Sequence, residues 1–280
     1  RLSQSTNSYE PALAQAPDAW TLAVKVNDSG DDQMLFGGPG NLVFDSRGYA
    51  WITNNVVQGT PDSSFDAIVL KPNGKPADGL GGTPRSPIRG GGLLGGGFGL
   101  DIDPRGHVWL GNFGWGSVLP QPAGSVTELT ASGEPVSPEV SGYQAGTFQV
   151  QGTISDSNNN IWLASYANDQ IVVLLHGDPG ASVAFSLPNN SKPFDIRLAS
   201  DDSVWVSCSG GFLGAGPNSL RHLKLSGGQI QQLQNVNLPL GSSLKGVAVD
   251  SQNNVWLAAQ GSDRVYAFDR DGSPLGEFAG

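Results

Sequence analysis

A seven-residue motif recurs five times in this chain and constrains its fold more than any other feature. Four copies begin with Asp, continue through a turn-like stretch rich in Gly and Asn, and end in an apolar residue and Trp. They are DSRGYAW (45–51), DPRGHVW (103–109), DSNNNIW (156–162) and DSQNNVW (250–256), and a fifth copy, ASDDSVW (199–205), has Ala in the Asp position. The tryptophans are 58, 53, 43 and 51 residues apart, a period typical of architectures built from stacked repeats.

Strand-like sequence flanks each motif. Apolar or β-branched runs such as GNLVFD and KGVAVD precede the turn, and alternating segments such as YAWIT and NVWLA follow it, which predicts a β-hairpin. A second strand–turn–strand pair follows each hairpin, as in DRVYAFDRDGSPLGEF (263–278). Four antiparallel strands per repeat predict the blades of a β-propeller, an all-β fold.

The segment KGVAVDSQNNVWLAAQGSDRVYAFDRDGSPLGEF (245–278) resembles the NHL-repeat and virginiamycin B lyase-like group of β-propellers. The resemblance extends as a repeating pattern over about residues 38–280. It implies the fold, because the recurring Asp, Gly and Trp positions serve turns and packing between blades. For activity it implies a lyase that opens a cyclic ester by elimination, with a His and acidic residues around a magnesium site.

The number of blades depends on the N-terminal part of the chain. Five repeats are complete, and the segment from Thr21, TLAVKVNDSGDDQMLFGG, matches the outer strand pair of one more blade. We expect six blades, with residues 20–36 in a blade that the two ends of a longer chain would share; the alternative is five blades with an added hairpin. A start at Arg1 and an end in GEFAG favour a piece of a longer protein. Residues 1–19 are polar and aperiodic, which predicts an arm or linker before a propeller over residues 20–280.

Composition narrows the classes of function. The 15 Lys and Arg residues against 25 Asp and Glu give a net charge of −10, which argues against binding to nucleic acid or to an anionic membrane surface. No run of about 18 apolar residues is present, so no transmembrane segment is expected. The 40 glycines and the low charged fraction of 14% favour a loop-rich protein that is extracellular, periplasmic or at the cell surface. The single Cys208 predicts a buried thiol and not a nucleophile.

Loop lengths single out one rim of the propeller. The turns inside each hairpin have four or five residues, whereas the long loops after Trp51, Trp109 and Trp205, and between the first two blades, share the opposite rim. This long-loop rim suits a glycan, a peptide or a protein partner, because its rings offer apolar area and its amides offer directional hydrogen bonds. The alternative is that rings such as Trp115 and Phe212 only anchor their own loops. The predicted binding residues are Asn54, Asn55, Arg85, Arg89, Asn112, Phe113, Trp115, Tyr166, Phe212 and Asn218.

A second candidate site lies on the innermost strands, near the central channel. When the repeats are aligned on the turn Asp, the positions four and two residues before it are mostly small or apolar, and three charges interrupt them. Buried charges need partners, so these predict either a polar site at the channel mouth or ion pairing between blades. The channel residues are Asp101, Gln151, Asp195, Arg197 and Lys245. We expect no cofactor; the alternative is a calcium or magnesium ion, with Asp101, Asp195 and Asn41 as the candidate calcium ligands.

Histidine positions decide between binding and catalysis. The three histidines, His107, His176 and His222, map to turns or third strands away from the long-loop rim. The general base that the resemblance implies therefore has no matching position, and histidine is too scarce for a multi-His zinc site. We expect a non-catalytic secreted propeller that binds its partner on the long-loop rim, alone or as a subunit of a larger assembly. The alternative is a virginiamycin B lyase-like lyase or hydrolase that works at the channel mouth with carboxylates.

Overall fold

The computed structural model describes residues 2–3, 8–10, 23–25, 38–55, 65–114, 125–211 and 213–279, almost all in strands and turns. The strands are β1 Leu2–Ser3, β2 Ser8–Glu10, β3 Ala23–Lys25, β4 Gly38–Phe44, β5 Ala50–Asn55, β6 Ala67–Leu70, β7 Gly96–Ile102, β8 Val108–Asn112, β9 Val126–Leu129, β10 Val150–Ser155, β11 Ile161–Ser165, β12 Gln170–Leu174, β13 Ser182–Ser186, β14 Pro193–Leu198, β15 Val204–Ser209, β16 Asn218–Ser226, β17 Gln229–Leu238, β18 Leu244–Val249, β19 Val255–Ala259, β20 Arg264–Phe268 and β21 Pro274–Ala279. Short 3-10 helices span Leu80–Gly82, Leu175–Gly177 and Gln260–Ser262. None of the helices in these ranges is long and apolar enough to cross a membrane.

Strands β4 to β21 form the predicted β-propeller of antiparallel blades. Blades 3, 4 and 5 each have four strands, namely β10–β13, β14–β17 and β18–β21. Blade 1 (β4–β6) and blade 2 (β7–β9) each have three strands. Their fourth strand is reduced to isolated bridges, because the chain leaves the sheet between one bridge and the next. The first strands of successive blades, β4, β7, β10, β14 and β18, lie side by side around the central channel.

The expectation of six blades is wrong for the part of the chain that the structure describes, which forms five. Of the segment 20–36, only strand β3 is described, and it pairs with β2 in the small sheet β1–β2–β3. The outer strands of a blade must hydrogen-bond to the inner pair of the same blade, whereas the partner of β3 comes from the predicted N-terminal arm. The second strand of the predicted outer pair lies outside the described residues.

The recurring motif builds the same turn in successive blades. The Oδ1 atom of Asp103 accepts hydrogen bonds from the backbone N–H groups of Arg105 and His107, both at 2.9 Å, and Oδ2 accepts one from the indole N–H of Trp109 at 3.0 Å. The same three bonds recur at Asp45, Asp156 and Asp250. The residue three places after the Asp has a positive φ, 84° at Gly106, a conformation that favours Gly and tolerates Asn.

Four clusters of the hydrophobic core lie at the four interfaces between neighbouring blades, and a fifth, smaller cluster (Ala50, Ile52, Ile68 and Leu70) lies on the face of blade 1 opposite Trp51. Four motif tryptophans fill the interfaces: Trp51, Trp109, Trp162 and Trp205 are each at most 1% exposed. Trp205 ends the motif copy that lacks the Asp, and its ring stacks on His222 with the ring centroids 4.1 Å apart. The packing between blades that the resemblance implies for the recurring Trp positions is not complete at Trp256, which is 38% exposed.

Trp256 is exposed together with other apolar side chains of its blade. The face of blade 5 that carries Trp256 also leaves Val265 and Phe278 exposed, at 38% and 52%. In blade 1, Leu42 and Phe44 pair with residues on the face opposite Trp51 and are 45% and 68% exposed. These two faces are apolar because they follow the pattern of the other blades, where each such face packs against a neighbour.

Candidate functional site

A cavity of about 980 Å³ lies at the channel mouth on the long-loop rim. All five blades contribute to its wall, a term that we use for the described residues that line the cavity; they comprise four aromatic rings, five side-chain amides, three charged side chains and three glycines. Pockets that enclose small ligands have volumes of about 300–1,000 Å³ and mix apolar surface with a few polar groups. We refer to this space as the mouth cavity.

β-Bulges direct side chains of the inner strands into the mouth cavity. Each inner strand shifts register against its neighbour at the same place, between residues 39 and 42, 96 and 100, 150 and 153, 193 and 195, and 244 and 247. A bulge bends the strand and re-aims its side chains. The bulge residue five places before the turn Asp position lines the cavity in every blade: Gly40, Phe98, Gln151, Phe194 and Lys245.

Glycines beside the bulges allow the inner strands to approach one another. A Cβ atom on Gly99 would lie 2.3 Å from Thr153 Oγ1, and one on Gly152 would lie 2.9 Å from the backbone oxygen of Phe194. Real Cβ atoms do not come so close to other heavy atoms, so larger residues are excluded from these two positions. The side chains that fill the mouth therefore come from the neighbouring bulge positions.

Aromatic rings form two contacting pairs in the wall. The rings of Phe98 and Phe194 have centroids 5.2 Å apart, and those of Phe113 and Tyr166 meet edge to face at 5.5 Å. Burial raises the pKa of Tyr166 above its usual value, so its hydroxyl stays protonated at neutral pH. The ammonium group of Lys245 lies 4.6 Å from the ring centroid of Phe194, a cation–π contact.

Asp195 is the one carboxylate in the wall, and its hydrogen bonds are directed into the protein. Its Oδ1 atom accepts from the backbone N–H of Ile196 at 2.9 Å and lies 3.1 Å from Arg197 Nη1, while Oδ2 accepts from the backbone N–H of Val247 at 3.0 Å. Burial raises the pKa of Asp195, and the Arg197 guanidinium opposes that shift. The bond to Val247 joins blade 4 to blade 5, while the ion pair with Arg197 lies within one strand.

A divalent cation does not fit the channel residues that the sequence suggested. Asp101 is not part of the cavity wall: its Oδ2 atom accepts from the backbone N–H of Ser155 at 2.6 Å and from the Ser155 hydroxyl at 2.8 Å. Both oxygens of Asp195 already accept hydrogen bonds, and the Arg197 guanidinium lies beside them. Asn41 lines the cavity, but its Oδ1 atom accepts from the backbone N–H of Leu42 at 2.9 Å. Because Asp101 lies outside the wall and the oxygens of Asn41 and Asp195 already accept hydrogen bonds, these three candidate ligands do not form a calcium or magnesium site.

None of the three histidines, His107, His176 and His222, lines the mouth cavity. His107 Nδ1 lies 2.6 Å from Glu128 Oε1, and these two residues with Asp103 are the one group in the described ranges whose carboxylate and imidazole atoms lie within 4.8 Å of one another. Arg105 forms ion pairs with both carboxylates, at 2.8 Å and 3.1 Å. Its positive charge therefore occupies the place that a metal ion would take.

The predicted rim residues divide into separate groups. Asn55, Phe113 and Tyr166 line the mouth cavity, together with the predicted channel residues Gln151, Asp195, Arg197 and Lys245. Arg85 and Arg89 line a second cavity, of about 390 Å³. Trp115 and Phe212 lie outside the described residues.

Three predicted rim amides are held inside the protein. Asn54, Asn112 and Asn218 are at most 2% exposed. The Asn112 amide donates to Ser125 Oγ at 2.8 Å and accepts from the backbone N–H of Leu94 at 2.9 Å. The Asn54 amide donates to Asp66, and the Asn218 amide donates to two loop carbonyls. These side chains fix loops from within.

Besides the three glycines, the sequence analysis missed four wall residues: Phe98, Gln149, Phe194 and Gln260. For Phe98 and Phe194 a signal existed, since both stand five places before the turn Asp position, one place beyond the positions that were compared. Gln149 lies in a loop and Gln260 begins a 3-10 helix, and the repeat pattern gave no reason to select either of them.

Solved structures share this architecture at low sequence identity. Virginiamycin B lyase from Staphylococcus aureus matches with 18% identity and a TM-score of 0.62, over 86% of this chain and 70% of that one. A catalytically inactive His-to-Ala variant of that lyase, solved with quinupristin, matches with 17% identity and a TM-score of 0.62, over 87% of this chain and 70% of that one. A gluconolactonase from Xanthomonas campestris matches with 14% identity and a TM-score of 0.57, over 87% of this chain and 75% of that one.

The chain is thus a β-propeller similar to virginiamycin B lyase, as the sequence motifs indicated. The same fold occurs in a nidogen/laminin complex, at 13% identity and a TM-score of 0.57 over 88% of this chain and 81% of that one. No protein-family profile and no curated protein sequence matches the chain. At these identities the likeness shows the fold, and the fold serves both enzymes and binding proteins.

Proposed function

We propose that this protein is a non-catalytic, secreted or cell-surface β-propeller that binds part of a peptide, glycan or protein partner in the mouth cavity. The observation that carries this proposal is the cavity itself, about 980 Å³ with four rings and five amides in its wall. Rings supply apolar contact area with few rotatable bonds, and amides supply directional hydrogen bonds. The low charged fraction of 14% and the loop-rich blades support a location outside the cell.

The chemistry of the wall favours recognition over acid–base catalysis. Histidine, the commonest general base, is absent from the wall, and the carboxylate of Asp195 is engaged in three hydrogen-bonding contacts. Lys245 is the observation in favour of the alternative function, because burial lowers its pKa and so makes its amine a better proton acceptor. The alternative is a lyase or hydrolase of cyclic esters, the activity suggested by the lyase and the gluconolactonase that share this fold.

Aromatic truncations test the proposal. Phe98→Ala and Tyr166→Ala remove one ring from each pair, and each should weaken binding of a ligand found in peptide and glycan screens by about fivefold or more, as at interface hot spots. Phe278→Ala is the matched control, since it truncates an exposed ring on an outer strand. Binding that survives both cavity substitutions would contradict the proposed site. Hydrolysis or elimination of quinupristin or gluconolactone by the wild type, lost in Lys245→Met, would establish the alternative.

A further inference from the structure

Gln151 is a deeply buried amide whose hydrogen-bonding capacity is only partly used. It stands at the bulge position of blade 3, is 2% exposed and lines the mouth cavity. Its Oε1 atom accepts from the backbone N–H of Phe98 in blade 2 at 3.4 Å. Its Nε2 group, which can donate two hydrogen bonds, donates to none of the described residues. A buried donor without a partner is rare in folded proteins and calls for a specific explanation.

The hydrogen bond to blade 2 fixes the orientation of this amide. A backbone N–H can only donate, so the atom that faces the N–H of Phe98 must be the oxygen, and Nε2 is the atom left for a ligand. Gly97 leaves room for this approach, because a Cβ atom there would lie 3.0 Å from Gln151 Oε1. The donor is therefore held in place before a ligand arrives, which reduces the entropy that is lost on binding.

Two phenyl rings come from the blades on either side of Gln151. Phe98 belongs to blade 2 and Phe194 to blade 4, and their ring centroids lie 5.2 Å apart. Both residues occupy the same bulge position as Gln151 and line the same cavity. A ligand group that accepts from Gln151 Nε2 therefore has apolar rings within reach. Since phenyl rings carry no polar atom, the part of the ligand that packs against them should be apolar or aromatic.

We infer that Gln151 determines the specificity of the mouth cavity by donating to the carbonyl oxygen of an aromatic residue in a peptide ligand. The inference rests on the binding function proposed above and names the chemistry of its ligand. A peptide residue combines both required features, because its aromatic side chain and its uncharged carbonyl oxygen lie only a few bonds apart. An N-acetylated sugar also carries an amide carbonyl, but hydroxyl groups surround its ring. Against Phe98 and Phe194 these hydroxyls would lose water without gaining a partner.

A matched amide and thioamide test the role of Gln151. N-phenethylacetamide carries one ring and one carbonyl oxygen, and N-phenethylthioacetamide has sulfur, a weaker hydrogen-bond acceptor, in place of that oxygen. Dissociation constants are measured by NMR titration of the full chain. The wild type should bind the amide about threefold to tenfold more tightly than the thioamide, the range that corresponds to one hydrogen bond. The side-chain NH₂ signals of Gln151 should also shift when the amide binds.

Removal of the donor provides the control. Gln151→Met keeps the length of the side chain and should reduce the preference for amide over thioamide to about twofold or less, with thioamide affinity retained. Gln231→Met makes the same change at an exposed position of β17 outside the cavity wall, and it should keep the wild-type preference. Circular dichroism checks that each variant folds. Gln151→Leu replaces Gln151→Met if the latter does not fold, and the NH₂ signals of the wild type give a readout that needs no variant.

The results that overturn the inference differ from those that overturn the binding function. Equal binding of amide and thioamide, or a preference that persists in Gln151→Met, overturns the inference and leaves the binding function standing. Failure of both aromatic probes to bind the wild type also overturns it, and binding of diacetylchitobiose in their place would assign the cavity to an N-acetylated glycan. Binding of the amide that survives both Gln151→Met and Phe98→Ala would overturn the proposed site together with the inference.

Discussion

Two motif tryptophans provide a matched test of how the blades are held together. The indole N–H groups of Trp162 and Trp256 donate to their turn carboxylates, Asp156 and Asp250, at the same distance of 3.1 Å. They differ in burial: Trp162 is 0% exposed between blades 3 and 4, whereas Trp256 is 38% exposed on its face of blade 5. Replacement by Ala removes a hydrogen bond of the same length from both sites, so the difference between the two variants reports the burial of the ring and of that bond between blades.

The expected magnitudes follow from burial. Truncation of a fully buried Trp to Ala costs about 3–5 kcal/mol, through lost transfer free energy and the cavity left behind. Trp256 keeps about three-fifths of its surface buried, and the space that it vacates opens to solvent, so we expect a loss of about 2–3 kcal/mol there. The free energy of unfolding should therefore fall by about 1–2 kcal/mol more in Trp162→Ala than in Trp256→Ala.

Urea unfolding followed by far-UV circular dichroism measures this difference, provided that the m-value stays unchanged. Thermal unfolding should show the same order, with about 2–4 °C for each kcal/mol in a chain of this size. Trp162→Phe and Trp256→Phe serve as milder versions that retain an aromatic ring. Equal losses in the two Ala variants would refute the assignment of the larger packing contribution to the ring that is buried between two blades.

Three further predictions concern other sites. Gly152→Ala should cost about 1–3 kcal/mol, as overpacking does, whereas Gly246→Ala should be nearly neutral because its Cβ would lie 3.9 Å from the nearest atom; chemical denaturation compares the two. Burial raises the pKa of the Cys208 thiol to about 11, so Ellman's reagent should react with it at pH 8 only after unfolding. Burial and a hydrogen bond to Glu128 raise the pKa of Tyr143 to about 12. This folded-state pKa exceeds the unfolded value of about 10. The contribution of Tyr143 to stability should therefore be complete below pH 10 and lost as the pH rises toward 12. In thermal melts measured over a pH series, Tyr143→Phe should remove that part of the alkaline loss of stability.

The local part of the fold could be predicted from sequence because each motif contains all the groups that form its turn. The turn at Asp103 needs a carboxylate that accepts from the backbone two and four residues later, a Gly at the left-handed position, and a Trp whose indole reaches back to the Asp. All of these lie within seven residues, so the sequence pattern and the structure coincide. Ring closure is different, since the exposure of Trp256 and Phe44 depends on which distant strand covers them, and no local pattern encodes that.

The candidate site could be predicted only in part, because a polar residue beside a loop can either line the cavity or hold the loop from within the protein. Asn55 and Asn112 look alike in sequence, as amides at the ends of second strands before long loops. The structure places Asn55 in the wall of the mouth cavity, whereas Asn112 is buried and bonded to loop groups up to 20 residues away. Which use applies depends on how the following loop folds back, and this requires tertiary structure.

The bulge position explains why the mouth cavity can be specific although the repeats are uniform. In the turn, the Asp and Trp positions are nearly constant from blade to blade, because each blade forms the same turn and the same kind of contact through its Trp. At the bulge, the side chain departs from the regular alternation of the strand and faces the channel. Neither the turn nor the core therefore constrains which residue type stands at this position. The five blades accordingly supply Gly40, Phe98, Gln151, Phe194 and Lys245, which differ in size, polarity and charge and meet around one cavity. Variation in a column whose members face a shared space is the arrangement expected when a repeat scaffold carries a binding site, and it supports the binding function that we propose for the channel mouth.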